Sequence, residues 1–310
     1  MSSGLIVSSI ATALVGGTAV LIAATGELIV EKTGVYNLGI EGVMLVGALA
    51  AFATGQSTGS WVVGLVAGAA VGAVFVLLFA VAVVGFGADM MMAGLALVLL
   101  GAGATGAAGS EYLGVAPSTD IPTWHIPGLS DIPYVGPAFF EQLSVGYLAL
   151  LLPVLVWVVL NRSRWGLNLQ AVGENPVAAD MIGIHVKRKR VSAIVIGGAF
   201  AGLAGGVVSL GVVHQWAYGV TGGQGWIALA IVIFAGWRPF GVIAGAWLFG
   251  GLATVGNIGQ ALGWQIPSQF FSALPYLGSV VILIAVAVLR RRRRGLPPWP
   301  AALGQAFVRG

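Results

Sequence analysis

Charged residues are so unevenly distributed in this chain that they divide it into long uncharged stretches joined by short charged connections. An uncharged window of about 20 apolar residues is long enough to cross a lipid bilayer as a helix. Only 8% of the residues are charged, whereas a soluble domain carries roughly a quarter. The sequence therefore predicts an all-α, polytopic membrane helix bundle. Its pI of 9.7 comes from a few basic clusters and does not indicate nucleic-acid binding.

The uncharged windows predict about nine transmembrane helices, within a range of eight to ten. They lie near residues 5–25, 38–55, 61–84, 90–109, 142–160, 191–213, 225–236, 241–257 and 272–289, and Glu41 at the start of the second is the one charged residue within them. The seventh window is short for a span, because such a helix rises only about 18 Å and the hydrocarbon core is about 30 Å thick. Residues 225–257 therefore form either two spans or a re-entrant or broken pair.

The lysine and arginine residues orient this membrane domain. All fourteen fall in segments that would face one side, mostly in the loop 161–190 and from residue 290 onwards. The loop 110–141 has no basic residue and carries four acidic ones. Because basic residues near span ends stay in the cytoplasm, we expect a cytoplasmic C-terminus and an external loop 110–141. Residues 1–290 would form the membrane domain, and 291–310 a basic, disordered cytoplasmic tail.

Glycines repeat at intervals of four residues in two of the predicted spans. They are Gly64, Gly68 and Gly72 in one span, and Gly198, Gly202 and Gly206 in the other. Small residues at this spacing allow helix backbones to approach closely. We expect them to pack the bundle internally, and a seam between two copies of the chain is the alternative.

Four charged residues crowd the entrance to the second span, within the segment 26–45. They are Glu27, Glu31, Lys32 and Glu41. Charges at membrane depth are costly and usually mark function. Near the surface, however, Glu31 and Lys32 would simply be solvated. We expect such an interfacial elbow, and a functional site is the alternative.

The segment 225–250 is interrupted by Trp237-Arg238-Pro239. Pro239 cannot continue a helix, and Arg238 needs water or a partner. A short cytoplasmic turn is the simpler interpretation. The alternative is the end of a half-membrane helix that lines a pathway.

A short helix is predicted inside the basic loop, in the segment 172–184. Asn175 suits the N-cap, Pro176 suits the first helical position and Gly183 suits the residue beyond the C-terminus. These signals predict a helix from Pro176 to Ile182. So short a helix is not stable alone in water.

The apolar side chains of this short helix need a surface to contact. Val177 and Met181 are four residues apart and share a face, and Ala178 and Ile182 lie alongside. The helix either lies back on the membrane domain or docks into a groove of a soluble partner. The sequence pattern leaves both alternatives open.

At these three segments, 26–45, 172–184 and 225–250, the chain resembles the permease subunits of type II ABC importers in the branched-chain amino acid/simple sugar/nucleoside family. It is most similar to the shorter permease of nucleoside or simple-sugar importers, and the resemblance covers about residues 10–289. It implies the type II ABC importer permease fold in a prokaryotic cell (inner) membrane. It also implies a translocation path for a small polar solute, a nucleoside or a simple sugar.

The resemblance further implies that the short helix couples the permease to a separate ATPase. The expected coupling residues are Glu174, Asn175, Pro176, Val177, Ala178, Asp180, Met181, Ile182 and Gly183. The chain has no GxxxxGK[ST] sequence to hold ATP phosphates, so we expect no catalytic residue and no cofactor on this chain. ATP and magnesium would bind to the partner ATPase.

The expected partners follow from the same resemblance. They are an ABC ATPase, an extracytoplasmic substrate-binding protein, a second permease subunit and the lipid bilayer, with no role for nucleic acid. The short length favours a heterodimer with a longer paralogue, and a homodimer is the alternative. The loop 110–141 and the segment 214–224 are the expected docking surfaces for the binding protein.

Candidates for the translocation path are aromatic or hydrogen-bonding residues, which suit a nucleoside. They are Tyr36, Asn37, Glu41, His214, Trp216, Trp226 and Asn257, each of which also fits a packing or interface role. No metal site is expected, because His214 has no second ligand nearby and the chain has no cysteine. A secondary transporter or channel is the alternative function. It is disfavoured because the acidic residues fall at the ends of the predicted spans.

Overall fold

The computed structural model describes residues 2–262, 264, 267–291 and 299–307, and they are overwhelmingly helical, as predicted. The helices are α1 (Ser2–Glu31), α2 (Ile40–Thr58), α3 (Trp61–Phe75), α4 (Leu77–Ala80), α5 (Met90–Ala108), α6 (Ser144–Arg162), α7 (Arg164–Glu174), α8 (Pro176–Met181), α9 (Val186–Val207), α10 (Gln224–Phe234), α11 (Pro239–Ala261) and α12 (Ser268–Arg291). Two π-helical turns, Val81–Gly85 and Val208–Val212, extend α4 and α9.

Six helical segments among the described residues are long and apolar enough to cross a membrane. They are Val7–Glu31, Ile40–Thr58, Trp61–Gly85, Met90–Ala108, Ser144–Arg162 and Val186–Val212. Shorter apolar helices occupy Gln224–Phe234 and Pro239–Val255. The chain is therefore a multi-pass helical membrane protein, and the count of about nine spans stays a prediction.

The two glycine series pack against each other inside the molecule, between α3 and α9. A β-carbon added at Gly202 would overlap the main chain of Gly68, and one at Gly72 would overlap the main chain of Gly198. The series thus lets two backbones meet where side chains would hold them apart. The interpretation as internal packing is confirmed.

The molecule has two faces, which differ in charge. We call the end that carries Lys32, α7, α8 and the segment 299–307 the basic face. The opposite end is the acidic face and carries the loop between α5 and α6. In that loop β1 (Thr123–His125) pairs antiparallel with β2 (Glu141–Leu143).

The last described segment, 299–307, packs against the basic face, whereas the sequence predicted disorder beyond residue 290. Its Ala302 and Gly304 amides donate to the carbonyls of Gly173 and Gly34, each at 2.9 Å. Arg190 donates to the Gln305 carbonyl at 3.0 Å. The prediction of disorder is wrong for this segment, because its partners lie more than a hundred residues away along the chain.

Candidate functional site

The carboxylate of Glu41 joins the start of α2 to the start of α10. It accepts hydrogen bonds from the Thr221 hydroxyl at 2.5 Å and from the amides of Gly223 at 2.9 Å and Gly225 at 2.7 Å. The first amides of a helix have no partner within the helix, and a negative charge is favoured at that end. Glu41 therefore caps α10 from a different helix. We call this cluster the Glu41 junction.

The Glu41 junction lies inside the bundle. Gly42 packs directly on α5 between Leu97 and Gly101, seven to eleven residues beyond the start of that helix at Met90. Such a length of helix rises about 10–16 Å, a third to a half of the hydrocarbon thickness. Glu41 is only 5% exposed. A carboxylate at such depth is the kind of group that marks a functional site in membrane proteins.

Helix α10 has the length of about half a membrane span. It has 11 residues, which rise about 16 Å, and it runs from the Glu41 junction to the turn at Trp237 on the basic face. Helix α11 then returns towards the acidic face, where Gly250 packs on Ala13 of α1. Of the two alternatives for residues 225–257, the contacts favour the broken pair.

Two aromatic side chains flank the Glu41 junction. Trp226 donates from its indole to the Leu38 carbonyl at 3.3 Å, and Tyr276 donates from its hydroxyl to the Gly222 carbonyl at 3.0 Å. Both rings remain accessible, at 44% and 47% of their surface. Tyr276 was missed by the sequence analysis, because nothing in the sequence brings α12 to this loop.

The acidic residues of α1 are also buried, which corrects the predicted solvated elbow. Glu27 accepts from the Asn37 amide at 2.8 Å, and Glu31 accepts from the Trp237 indole at 2.5 Å. Both are about 1% exposed. Both residues lie in the last turns of the span Val7–Glu31, so the prediction that acidic residues fall at span ends holds for them. They are nevertheless buried, because the bundle packs around this end of α1.

The predicted helix of the basic loop is confirmed as α8, one residue shorter than expected. The Asn175 side chain accepts from the Ala178 amide at 3.0 Å, Pro176 occupies the first turn, and Gly183 has φ +87°. Ile182 is the C-terminal cap rather than a helical residue. Each capping signal in the sequence therefore acts as predicted.

The four apolar residues singled out in the sequence, Val177, Ala178, Met181 and Ile182, are exposed and do not lie back on the membrane domain; another face of α8 does. Ala179 is buried in a small core with Val172 and Val186, and Phe307 of the last segment packs on it. On the other face Met181 is 82% exposed and Ile182 is 76% exposed. Helix α8 is thus anchored on one side and open on the other.

The remaining coupling candidates surround this open face. Val177 and Ala178 are exposed, as are Glu174, Asn175 and Gly183, whereas Asp180 is partly buried and Pro176 is buried. Beside Ile182 a cavity of about 420 Å³ opens between α7 and α9, with Trp165 and Arg188 in its wall.

Other path candidates are separated from the Glu41 junction. His214 lies on the acidic face, 3.0 Å from the carboxylate of Asp120, and Trp216 is buried near Leu113. Tyr36 lies at the basic face beside Gly304. Burial raises the pKa of Tyr36, and the charge of Asp89 adds to this. The side chain of Asn257 lies outside the described residues.

The segment 214–224 only partly forms a surface, contrary to expectation. Its first residues are exposed on the acidic face, but Thr221 is fully buried and bonds Glu41. The loop runs from the acidic face into the bundle, because the start of α10 lies there. Among the described residues no group of histidine, aspartate and glutamate is arranged to hold a metal.

A family model described as the permease component of branched-chain amino acid transport systems matches residues 9–289. The chain belongs to this family. The matched region of this permease includes both α8 and the Glu41 junction. No solved structure matches it.

Three curated relatives resemble the permease over most of both chains. A putative glucose ABC transporter permease of Haloferax volcanii is 38% identical over 94% of this chain and 94% of its own length. A guanosine ABC transporter permease of Bacillus subtilis is 33% identical over 96% and 95%. A nucleoside ABC transporter permease of Lactococcus lactis is 34% identical over 88% and 90%.

Proposed function

We propose that this permease is the membrane-spanning subunit of an ATP-driven importer for a nucleoside or a simple sugar. The open apolar face of α8 is the single observation that carries the coupling part of the proposal. Met181 and Ile182 expose most of their surface to water, although such side chains favour burial. An ATPase groove that receives a helix would cover them, in the manner of other helix-in-groove contacts.

Movement of α8 would reach the membrane helices through its anchored face. Val172 and Val186, which pack on Ala179, belong to α7 and α9. Gly173 packs directly on the Lys32 main chain at the end of α1. A displacement of α8 by the ATPase would therefore act on α1 and α9 together, and these helices carry Glu27, Glu31 and the glycine contacts with α3.

The solute path is proposed to pass the Glu41 junction. Two accessible aromatic rings, Trp226 and Tyr276, flank it, and aromatic faces suit nucleobases and sugar rings. Gln224 at the start of α10 has an enclosed side-chain oxygen without a hydrogen-bond partner among the described residues. Glu41 itself holds α10 in place through three donors. Asn37 supports the junction through its side-chain bond to the Gly39 amide, at 2.9 Å.

The same proposal includes about nine spans, a cytoplasmic basic face and an inner-membrane location. Basic residues on one face support this orientation. A single cysteine can test it, because the chain has none of its own. Cysteine at Ser118 should react with an impermeant thiol reagent from outside, and cysteine at His185 should react only after permeabilisation. The reverse pattern would overturn the orientation.

The partners in this proposal are an ABC ATPase, a second permease, favoured as a longer paralogue, and an extracytoplasmic binding protein. The chain would perform no hydrolysis itself. The test is affinity purification of the tagged permease in mild detergent, followed by mass spectrometry and by uptake assays in liposomes. Recovery of an ATPase and ATP-dependent uptake of a nucleoside or sugar are expected. Uptake by the permease alone without ATP would instead establish the secondary transporter or channel.

A further inference from the structure

Two adjoining cavities lie where α10 turns into α11 at the basic face. The larger, about 680 Å³, lies between α10, α11 and α12 and is lined mainly by apolar residues such as Phe234, Leu248 and Leu252. The smaller, about 300 Å³, is lined by polar and aromatic residues that include Lys32. Arg238 and Phe240 line both cavities. Together they form a groove with an apolar body and a cationic end.

The cationic end has no acidic partner at close range. Among the described residues, no carboxylate oxygen lies within 4 Å of the Lys32 or Arg238 nitrogens. Burial lowers the pKa of Lys32 and the charge of Arg238 reinforces this, whereas the charges of Glu174 and Glu31 oppose it from longer range. A partly buried Lys32 and an exposed Arg238 therefore lie close enough to repel each other, without an ion pair to either, and an anionic group between them would relieve this repulsion.

Uncharged donors surround the two cations. The Asn161 amide nitrogen donates to the Trp157 carbonyl at 2.8 Å, and the Gln170 amide nitrogen donates to the Leu160 carbonyl at 2.7 Å. Each amide has two N–H groups, so a second remains on each for a ligand. Asn161 and Gln170 both line the smaller cavity.

The turn that places Arg238 at this site is strained. Trp237 has φ +55°, a conformation that is unusual for a bulky residue and persists only where its surroundings impose it. Its indole bonds Glu31 and its ring packs edge-on against Trp299, with centroids 6.4 Å apart. The surroundings therefore fix the turn so that the next residue, Arg238, borders both cavities.

We propose that this groove is a binding site for an anionic phospholipid of the basic-face leaflet. The phosphate lies between Lys32 and Arg238, with Asn161 and Gln170 as additional donors, and one acyl chain lies along Phe234, Leu248 and Leu252. Basic pockets between membrane helices on the cytoplasmic side are suited to such headgroups. A zwitterionic lipid offers no net charge to the two cations and binds more weakly. The site is independent of the transported solute.

The test is native mass spectrometry of the purified transporter complex, titrated with phosphatidylglycerol or with phosphatidylcholine. Wild type is expected to retain phosphatidylglycerol in preference to phosphatidylcholine. Each basic residue near an anionic surface contributes about fivefold in affinity. The double variant Lys32→Gln/Arg238→Gln should therefore bind phosphatidylglycerol roughly 25-fold more weakly, approaching phosphatidylcholine.

Two further variants test the acyl-chain contact and the effect of a basic residue outside the groove, separately from the headgroup contact. Ala244→Trp fills the apolar cavity that Ala244 lines and should also weaken phosphatidylglycerol retention. Lys187→Gln removes an exposed basic residue that borders neither cavity and should leave it unchanged. Equal retention of the two lipids by wild type, or unchanged retention by the double variant, would overturn the proposal. Loss of the second permease from the double variant, with lipid retention intact, would assign the groove to subunit contact and also overturn it.

Discussion

The Glu41 junction and α8 both depend on helix capping, but the junction is enclosed in the bundle and α8 is open on one face. At the junction a buried carboxylate from α2 caps α10 and all three of its donors are internal. At α8 the cap is local, from Asn175 to Ala178, and the apolar face stays open. The junction is enclosed and holds the start of α10, whereas α8 leaves its apolar face exposed and is the proposed docking element.

The enclosed junction is a part of the molecule that must stay rigid, whereas the open face of α8 is a surface that a partner can contact. A charge inside the membrane domain is tolerated only when donors satisfy it, so the junction cannot easily rearrange its contacts. An exposed apolar helix face has no such constraint and gains free energy when a partner covers it. We expect variants at the junction to affect stability and variants at α8 to affect association.

The most severe effect is expected from Glu41→Ala. It removes an acceptor shared by three donors, and hydrogen bonds to a charged group contribute about 1.5–3 kcal/mol each. Thermal unfolding in detergent should reveal a loss of about 3 kcal/mol or more, and uptake should fall more than about 100-fold. Asp131→Ala, at an exposed acidic residue, is the control for stability. A normal melting profile for Glu41→Ala would show that the junction does not hold α10, and the contrast with α8 would be lost.

Met181→Asp should leave the fold intact and weaken association with the ATPase. A charge in the apolar contact of α8 would be buried without a partner, and central interface residues contribute about 2 kcal/mol or more. We expect about 30-fold weaker ATPase binding with unchanged membrane insertion, measured by co-purification and uptake. Met181→Leu keeps an apolar side chain and should behave like wild type. Normal uptake by Met181→Asp would remove the coupling role of α8.

Trp226→Ala separates solute contact from stability at the junction, because it removes an aromatic ring and leaves the Glu41 carboxylate unchanged. Loss of a stacking surface of about 1.5 kcal/mol should raise the KM for nucleoside or sugar uptake about tenfold. Trp226→Phe retains an aromatic face and should recover most of the affinity. An unchanged KM, with stability preserved, would exclude Trp226 from the solute path.

Phe307→Ala tests the anchored face of α8 and should have the smallest effect. Phe307 is partly buried against the core of Val172, Ala179 and Val186. Truncation should cost about 1 kcal/mol and lower the uptake per ATP hydrolysed about fivefold. Gln305→Ala keeps the carbonyl that Arg190 binds and serves as the matched control. If both variants match wild type, the segment 299–307 plays no part in coupling.

Local signals allowed much of the fold to be predicted. The limits of α8 follow from Asn175, Pro176 and Gly183, and the two glycine series indicated close internal packing. Both signals consist of residues a few positions apart, so they can be read from the sequence, although the short helix and the glycine contacts still need their neighbours to form. The burial of Glu27 and Glu31 was misjudged because hydropathy cannot distinguish a helix end at the membrane surface from one that continues into a packed bundle.

Sequence alone therefore determined that this protein crosses the membrane several times and carries a capped two-turn helix in a basic loop. The tertiary structure decided where the charges lie and what they bind. Glu41 meets its donors 180 residues away, and residues 299–307 meet Gly34 and Gly173 across the basic face. Such contacts depend on which helices become neighbours, which is set by packing of the whole bundle rather than by any local pattern.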